Sequence, residues 1–147
     1  MEQKSAMNHF YNAYNMGEEI FTIFENKTDN GEIKELIDKT INMFREQKAL
    51  LLHSSSNLKV RFDGTYTFPQ KNAIMLEKLK SKTLNSDFDL CIEMIKNINS
   101  ALIGALKFLT KYKKEFDAED FKIAKKTLSI YDDIIVNIKH YIFKNLI

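Results

Sequence analysis

Residues 88–112 read FDLCIEMIKNINSALIGALKFLTKY, and the spacing of their apolar positions decides the fold. Phe88, Cys91, Ile95, Ile98, Leu102, Ala105, Leu109 and Tyr112 recur at alternating steps of three and four. A half-buried strand alternates every second residue, whereas this spacing draws one stripe along one face of a helix. The following segment repeats the pattern with Phe121, Ala124, Leu128, Tyr131, Ile135, Ile138 and Ile142. Two unbroken ladders of this length predict two helices packed along their whole length.

The helix expected over about 87–114 carries further apolar groups beside its ladder: Leu90, Ile92, Met94, Ile103, Leu106 and Phe108. Apolar on much of its circumference, it is expected to be the central helix. Its middle adds two small-residue rows, Ala101/Ala105 and Ser100/Gly104, which let another helix approach closely or form a self-association face. Ser86 is the expected cap of this helix and Asp117 that of the last, which should run almost to Ile147.

Upstream, a first helix over about 3–27 has the ladder Met7, Phe10, Tyr14, Gly17, Phe21 and Phe24. Gly17 on that ladder suggests a close crossing with the small residues of the 87–114 helix. Thr28-Asp29-Asn30-Gly31 breaks the first helix, and Asp29 with Glu32 has the form of a capping box. A second helix reaches to about residue 53, its apolar stripe interrupted by Thr40, Gln47 and Lys48.

Residues 58–68 change character. Leu58 to Arg61 and Thr65 to Phe68 alternate about Asp63-Gly64, a strong turn pair. The pattern predicts a β-hairpin pairing Val60 with Tyr66 and Leu58 with Phe68, with Gly64 left-handed in a bulge. Pro69, the only proline, stands where a short helix over about 69–84 should begin. The expected architecture is therefore all-α: a single domain over 1–147, an antiparallel bundle of four main helices plus one short helix, with a small β-hairpin inserted at about 58–68.

Composition narrows the function. With one cysteine, Cys91, no intramolecular disulfide and no Cys-x-x-Cys zinc framework can form. A ladder position makes Cys91 a small buried hydrophobe rather than a reactive thiol. His9, His53 and His140 fall on three different helices, and no Glu-x-x-His pair exists for a di-iron bundle. The four glycines form neither a phosphate loop nor a dinucleotide fingerprint. These absences assign no catalytic residue, no metal ligand and no cofactor, and favour a non-enzymatic chain. No secretory leader and no run of 18 apolar residues is visible, so the expected location is cytoplasmic without a membrane span.

The formal charge of +2 is unevenly spread: residues 1–57 hold six basic and nine acidic groups, and residues 58–147 hold sixteen and eleven. Lysine outnumbers arginine twenty to two. That bias fits an AT-rich bacterial or phage genome and speaks against arginine-led base readout. Lys107, Lys111 and Lys114 share one helical row, and Lys122, Lys125 and Lys126 follow across the last turn. Glu115, Asp117, Glu119 and Asp120 lie among them, a weak excess for a phosphate-tracking surface.

A second surface is more suggestive. Asn8, Asn12 and Asn15 form one row of the first helix with Tyr11 beside it, and neutral amides and tyrosine suit contact surfaces. Lys59, Arg61 and Tyr66 of the expected hairpin form a second candidate contact element. The functional expectation is a small protein–protein interaction module, an adaptor, chaperone-like protein or inhibitor, docking through a helix face or the hairpin. The alternative is a nucleic-acid-associated protein using the lysines of 107–126.

Overall fold

The computed structural model describes residues 3–54 and 62–147, with side chains from Ala6 onward. Five α-helices follow in order: α1 (Gln3–Glu25), α2 (Gly31–Leu52), α3 (Phe68–Ser81), α4 (Asp87–Tyr112) and α5 (Ala118–Asn145). A single 3-10 turn, Lys113–Glu115, links the last two. Local chemistry sets the helix starts. The side chains of Ser86 and Asp117 accept from the backbone N–H of Asp89 and Asp120, as expected. At α2 the cap is Asn30, one residue beyond Asp29, with Oδ1 accepting from Glu32 and Ile33. Thr67 and Gln70 form a reciprocal capping box at α3, with Pro69 in its first turn.

α1 packs along α2, α4 along α5, and α2 against α5, whereas α1 and α4 touch only sparsely. Contacts across the bundle give its polarity. Phe44 meets Tyr131, Gln47 meets Thr127, and Ser54 bonds Asp120, so α2 and α5 run antiparallel. His9 stacks on Phe108 while Thr28 bonds Asp87, so α1 and α4 also run antiparallel. One continuous core fills the bundle, with Phe10, Tyr14, Phe21, Phe24 and Phe44 essentially without exposure. The most enclosed helix is α1, not α4: Phe88, Ile103 and Leu106 of α4 remain nearly half exposed. α4 packs along α5; of the apolar groups beside its ladder, Leu90 and Met94 join the core, whereas Ile103 and Leu106 project past it.

The hairpin expected at 58–68 requires correction. Among the described residues there is no strand; 62–67 are irregular and Phe68 already belongs to α3. Residues 58–61 lie outside the described residues. No glycine in the described chain has positive φ, so Gly64 is not the left-handed bulge residue. Side chains take the backbone groups that a ladder would have used. Asn8 Oδ1 accepts from the Asp63 backbone N–H at 2.7 Å, and Asp63 Oδ1 accepts from Thr65 N–H at 2.8 Å. Asn12 donates to the Thr65 carbonyl at 3.4 Å, and Phe62 stacks on Tyr11 with ring centroids 5.3 Å apart.

Gly17 also departs from expectation. A Cβ there would meet Phe44 Cε2 at 2.6 Å, so the glycine admits an aromatic ring of α2. The small residues of α4 face the opposite wall of a gap, and a Cβ on Gly104 would meet no atom within 4 Å.

Candidate functional site

The sparse α1–α4 contact leaves an apolar cavity of about 300 Å³. Ala13, Met16 and Gly17 line it from α1, Ala101 and Gly104 from α4, and Phe44 and Tyr131 close its floor. Ala73 and Gln70 of α3 form part of its rim. A second cleft of about 210 Å³ opens between α3 and α4 and shares Ala73, Asn97 and Ser100 with the cavity. Together they make a groove with an apolar interior and a polar mouth, near the small end of the size range of ligand pockets.

Two carboxylates sit at that mouth. Glu77 and Glu93 are 6% and 8% exposed, on α3 and α4 respectively. Asn97 donates to Glu77 Oε1 at 3.2 Å, while buried Glu77 Oε2 has no hydrogen-bond partner. Lys80 Nζ lies 3.6 Å from Glu93 Oε1 and is itself well exposed. Burial first, and the neighbouring Glu93 charge second, push the Glu77 carboxyl up to about 7. Glu77 therefore holds a proton over much of the neutral range. The sequence offered no signal for this pair, because the two acids lie sixteen positions apart on different helices and read as ordinary surface charge.

α3 also presents an unusual outer face. It buries only Ile74, Glu77 and Ser81, while Phe68, Met75, Leu76 and Leu79 are 76%, 60%, 55% and 53% exposed. At 100° per residue these four side chains occupy one stripe directed away from the bundle. Lys71, Lys78 and Lys82 flank that stripe, all exposed, and the only acid of α3 is buried Glu77. The apolar residues of 69–84 do not by themselves say which face turns inward: Ile74 is buried, whereas Leu76 and Leu79 lie on the outward stripe.

Of the residues singled out from the sequence, Asn8, Tyr11 and Asn12 are gathered around 62–67. Asn8 Oδ1, the Tyr11 ring and Asn12 Nδ2 are engaged there, while Asn12 Oδ1 is buried without a hydrogen-bond partner among the described residues. Asn12 is 4% exposed. Asn15 accepts from Lys48 Nζ at 2.9 Å, and Lys48 also pairs with Glu18. Tyr66 is half-buried beside Glu18 and Glu19, its phenol pushed up to about 12 by burial and then by Glu19. Lys59 and Arg61 lie outside the described residues.

Lys107, Lys111, Lys114, Lys122, Lys125 and Lys126 are all exposed, and none pairs with an acid among the described residues. Lys111 lies 5.1 Å from the Tyr112 ring centroid. Asp120, by contrast, is fully buried and accepts from Ser54.

Cys91 is buried, and desolvation followed by Asp87 pushes its thiol up to about 11, which suits an inert core position. Among the described residues no three His, Cys, Asp or Glu side chains converge as metal ligands, and no helix is long and apolar enough to cross a membrane. No family model matches the chain, and no curated protein or solved structure matches it.

Proposed function

We propose that this chain is a non-enzymatic, cytoplasmic protein-interaction module that receives an acidic, amphipathic segment of another protein on the outward face of α3. The observation that carries this reading is the stripe of Phe68, Met75, Leu76 and Leu79, exposed between lysines with no exposed acid on the same helix. Exposed apolar stripes of this kind suit helix-face recognition, and methionine adapts to varied partners. A second copy docking stripe to stripe would set lysines against lysines, so charge favours an acidic partner over self-association.

The test compares the full-length chain with a Met75→Ser/Leu79→Ser variant, both tagged and purified from the native host. The expected result is a nuclease-resistant protein partner with an acidic amphipathic segment, lost in the variant, whose binding protects α3 amides from hydrogen exchange. Co-sedimentation with anionic phospholipid vesicles in the absence of protein partner, or retention of the partner by the variant, would overturn it.

A second reading, nucleic-acid association, is supported by the seven exposed lysines of 107–126. It predicts binding to a mixed-sequence oligonucleotide that falls steeply with salt and with Lys111, Lys114 and Lys125 changed to glutamate.

A further inference from the structure

We infer that the groove under α3 is a binding site for a small organic amine with an apolar body, its ammonium group on Glu77 and its body in the cavity between α1 and α4. Three features of the groove define the ligand. The cavity is apolar, with small residues of α1 and α4 set against Met16, Phe44 and Tyr131, and space is open above Gly104, where a Cβ would meet nothing within 4 Å. Glu77 is 94% enclosed, faces the cleft that adjoins this cavity, and has one oxygen, Oε2, that accepts no hydrogen bond. Among the described residues its carboxyl is held only by Asn97 and by the proton it shares with Glu93. Lys80 pairs with Glu93 and acts on Glu77 only as a more distant charge, so among the described residues no cation makes an ion pair with Glu77.

The head chemistry follows from these groups. Oε2 is an acceptor beside a second carboxylate, so it calls for a donor that also carries positive charge. A protonated primary amine brings three donors and that charge. A carboxylate head would bring another negative group beside Glu93 and could not take the place of the Glu77 proton, and an alcohol would offer one neutral donor. Binding exchanges the Glu77 proton for the ammonium group: the proton leaves to solvent and the ion pair replaces it. Facing Glu77 are Glu93 and Lys80, with Lys96 on the cleft wall; His9 of α1 lines the cavity itself.

Isothermal titration of the full chain with n-hexylamine and n-octylamine tests this, with octanoate and 1-octanol as comparison ligands. We expect one site for the amines, with affinity rising roughly fourfold per added methylene as apolar surface is buried. In buffers of differing ionisation enthalpy, binding should release close to one proton at pH 6 and almost none at pH 8.5. Glu77→Gln should weaken octylamine at least tenfold while leaving helical content intact. Gly104→Leu, which fills the cavity and leaves Glu77 in place, should abolish the chain-length dependence. Octanoate or octanol binding as tightly as octylamine, no detectable amine binding, or unchanged affinity in both variants would each overturn the inference.

Discussion

The hydroxyls of Tyr14 and Thr127 lie 2.7 Å apart in the buried centre of the bundle, 113 positions apart in the chain. Gln47 donates to the same Thr127 oxygen at 3.1 Å and to the Ile123 carbonyl at 3.3 Å. Three helices are thus joined by a single polar node inside an apolar core, and burial drives the Tyr14 phenol upward from its ordinary value. Such a node specifies register, because sliding any helix by one turn would leave these groups without partners.

Replacing Thr127 by Val keeps the volume and removes the shared oxygen. The variant should lose about 1–3 kcal/mol, the cost of leaving buried Tyr14 and Gln47 groups unmade. Chemical denaturation gives the value. Tyr14→Phe combined with Thr127→Val should cost less than the sum of the two single changes, because they share one interaction.

Two glycines should respond oppositely to alanine. At Gly17 the new Cβ would stand 2.6 Å from Phe44, whose ring is held by Phe21 and Tyr131. Overpacking of about 1–3 kcal/mol then exceeds the helix-propensity gain of about 1 kcal/mol. At Gly104 the Cβ would enter open space, and Gly104→Ala should stabilise by about 0.5–1 kcal/mol. Thermal melts of both variants check the signs.

Stability should fall as pH rises through the Glu77 transition. The folded carboxyl titrates at about 7 against an ordinary 4.5, so between these values the folded chain keeps a proton that the unfolded chain gives up. The contribution is complete below about pH 4.5 and lost by about pH 7. Glu77→Gln should therefore match the parent near pH 4.5 and exceed it at pH 8 by about 1–2 kcal/mol, a value discounted for screening at the cleft mouth. Urea titrations at the two pH values provide the comparison.

His9 stacks on Phe108 with ring centroids 3.8 Å apart, and burial lowers its pKa from the ordinary 6.5. Its imidazole resonances should titrate with a midpoint below 6.5 in a pH series of NMR spectra. The neutral ring's contribution to stability is present above that ordinary value and declines as pH drops through the lowered one.

Asn8→Ala removes the acceptor for the Asp63 backbone N–H. The bundle should lose no more than about 1 kcal/mol, since that bond is exposed. Cleavage within 62–67 by a protease should accelerate severalfold while the helices persist in circular dichroism.

How far the sequence could be read varied with the range of the interaction. Ser86, Asp117 and Pro69 act on backbone groups within one turn, so their roles were legible from neighbours alone. The hairpin expectation failed for the same reason in reverse. Alternation at 58–68 described local preference, but Asn8 and Asn12, some fifty positions away, claimed the backbone of 63 and 65. Thr40 and Gln47 read as interruptions of the α2 stripe, yet both are buried: Thr40 bonds the Leu36 carbonyl and Gln47 joins the Tyr14 node.

The 3-4 spacing of apolar residues determined by itself that the chain is helical and which face of each ladder turns inward, because a helix face is a property of the backbone repeat. Only the tertiary structure decided that α1 and α4 stand apart. The reason is steric: Gly17 receives Phe44 from α2, so the small residues of α4 meet open space rather than a helix. That gap, and the position of Glu77 at its mouth, arise from packing between elements distant in sequence, which no local period encodes.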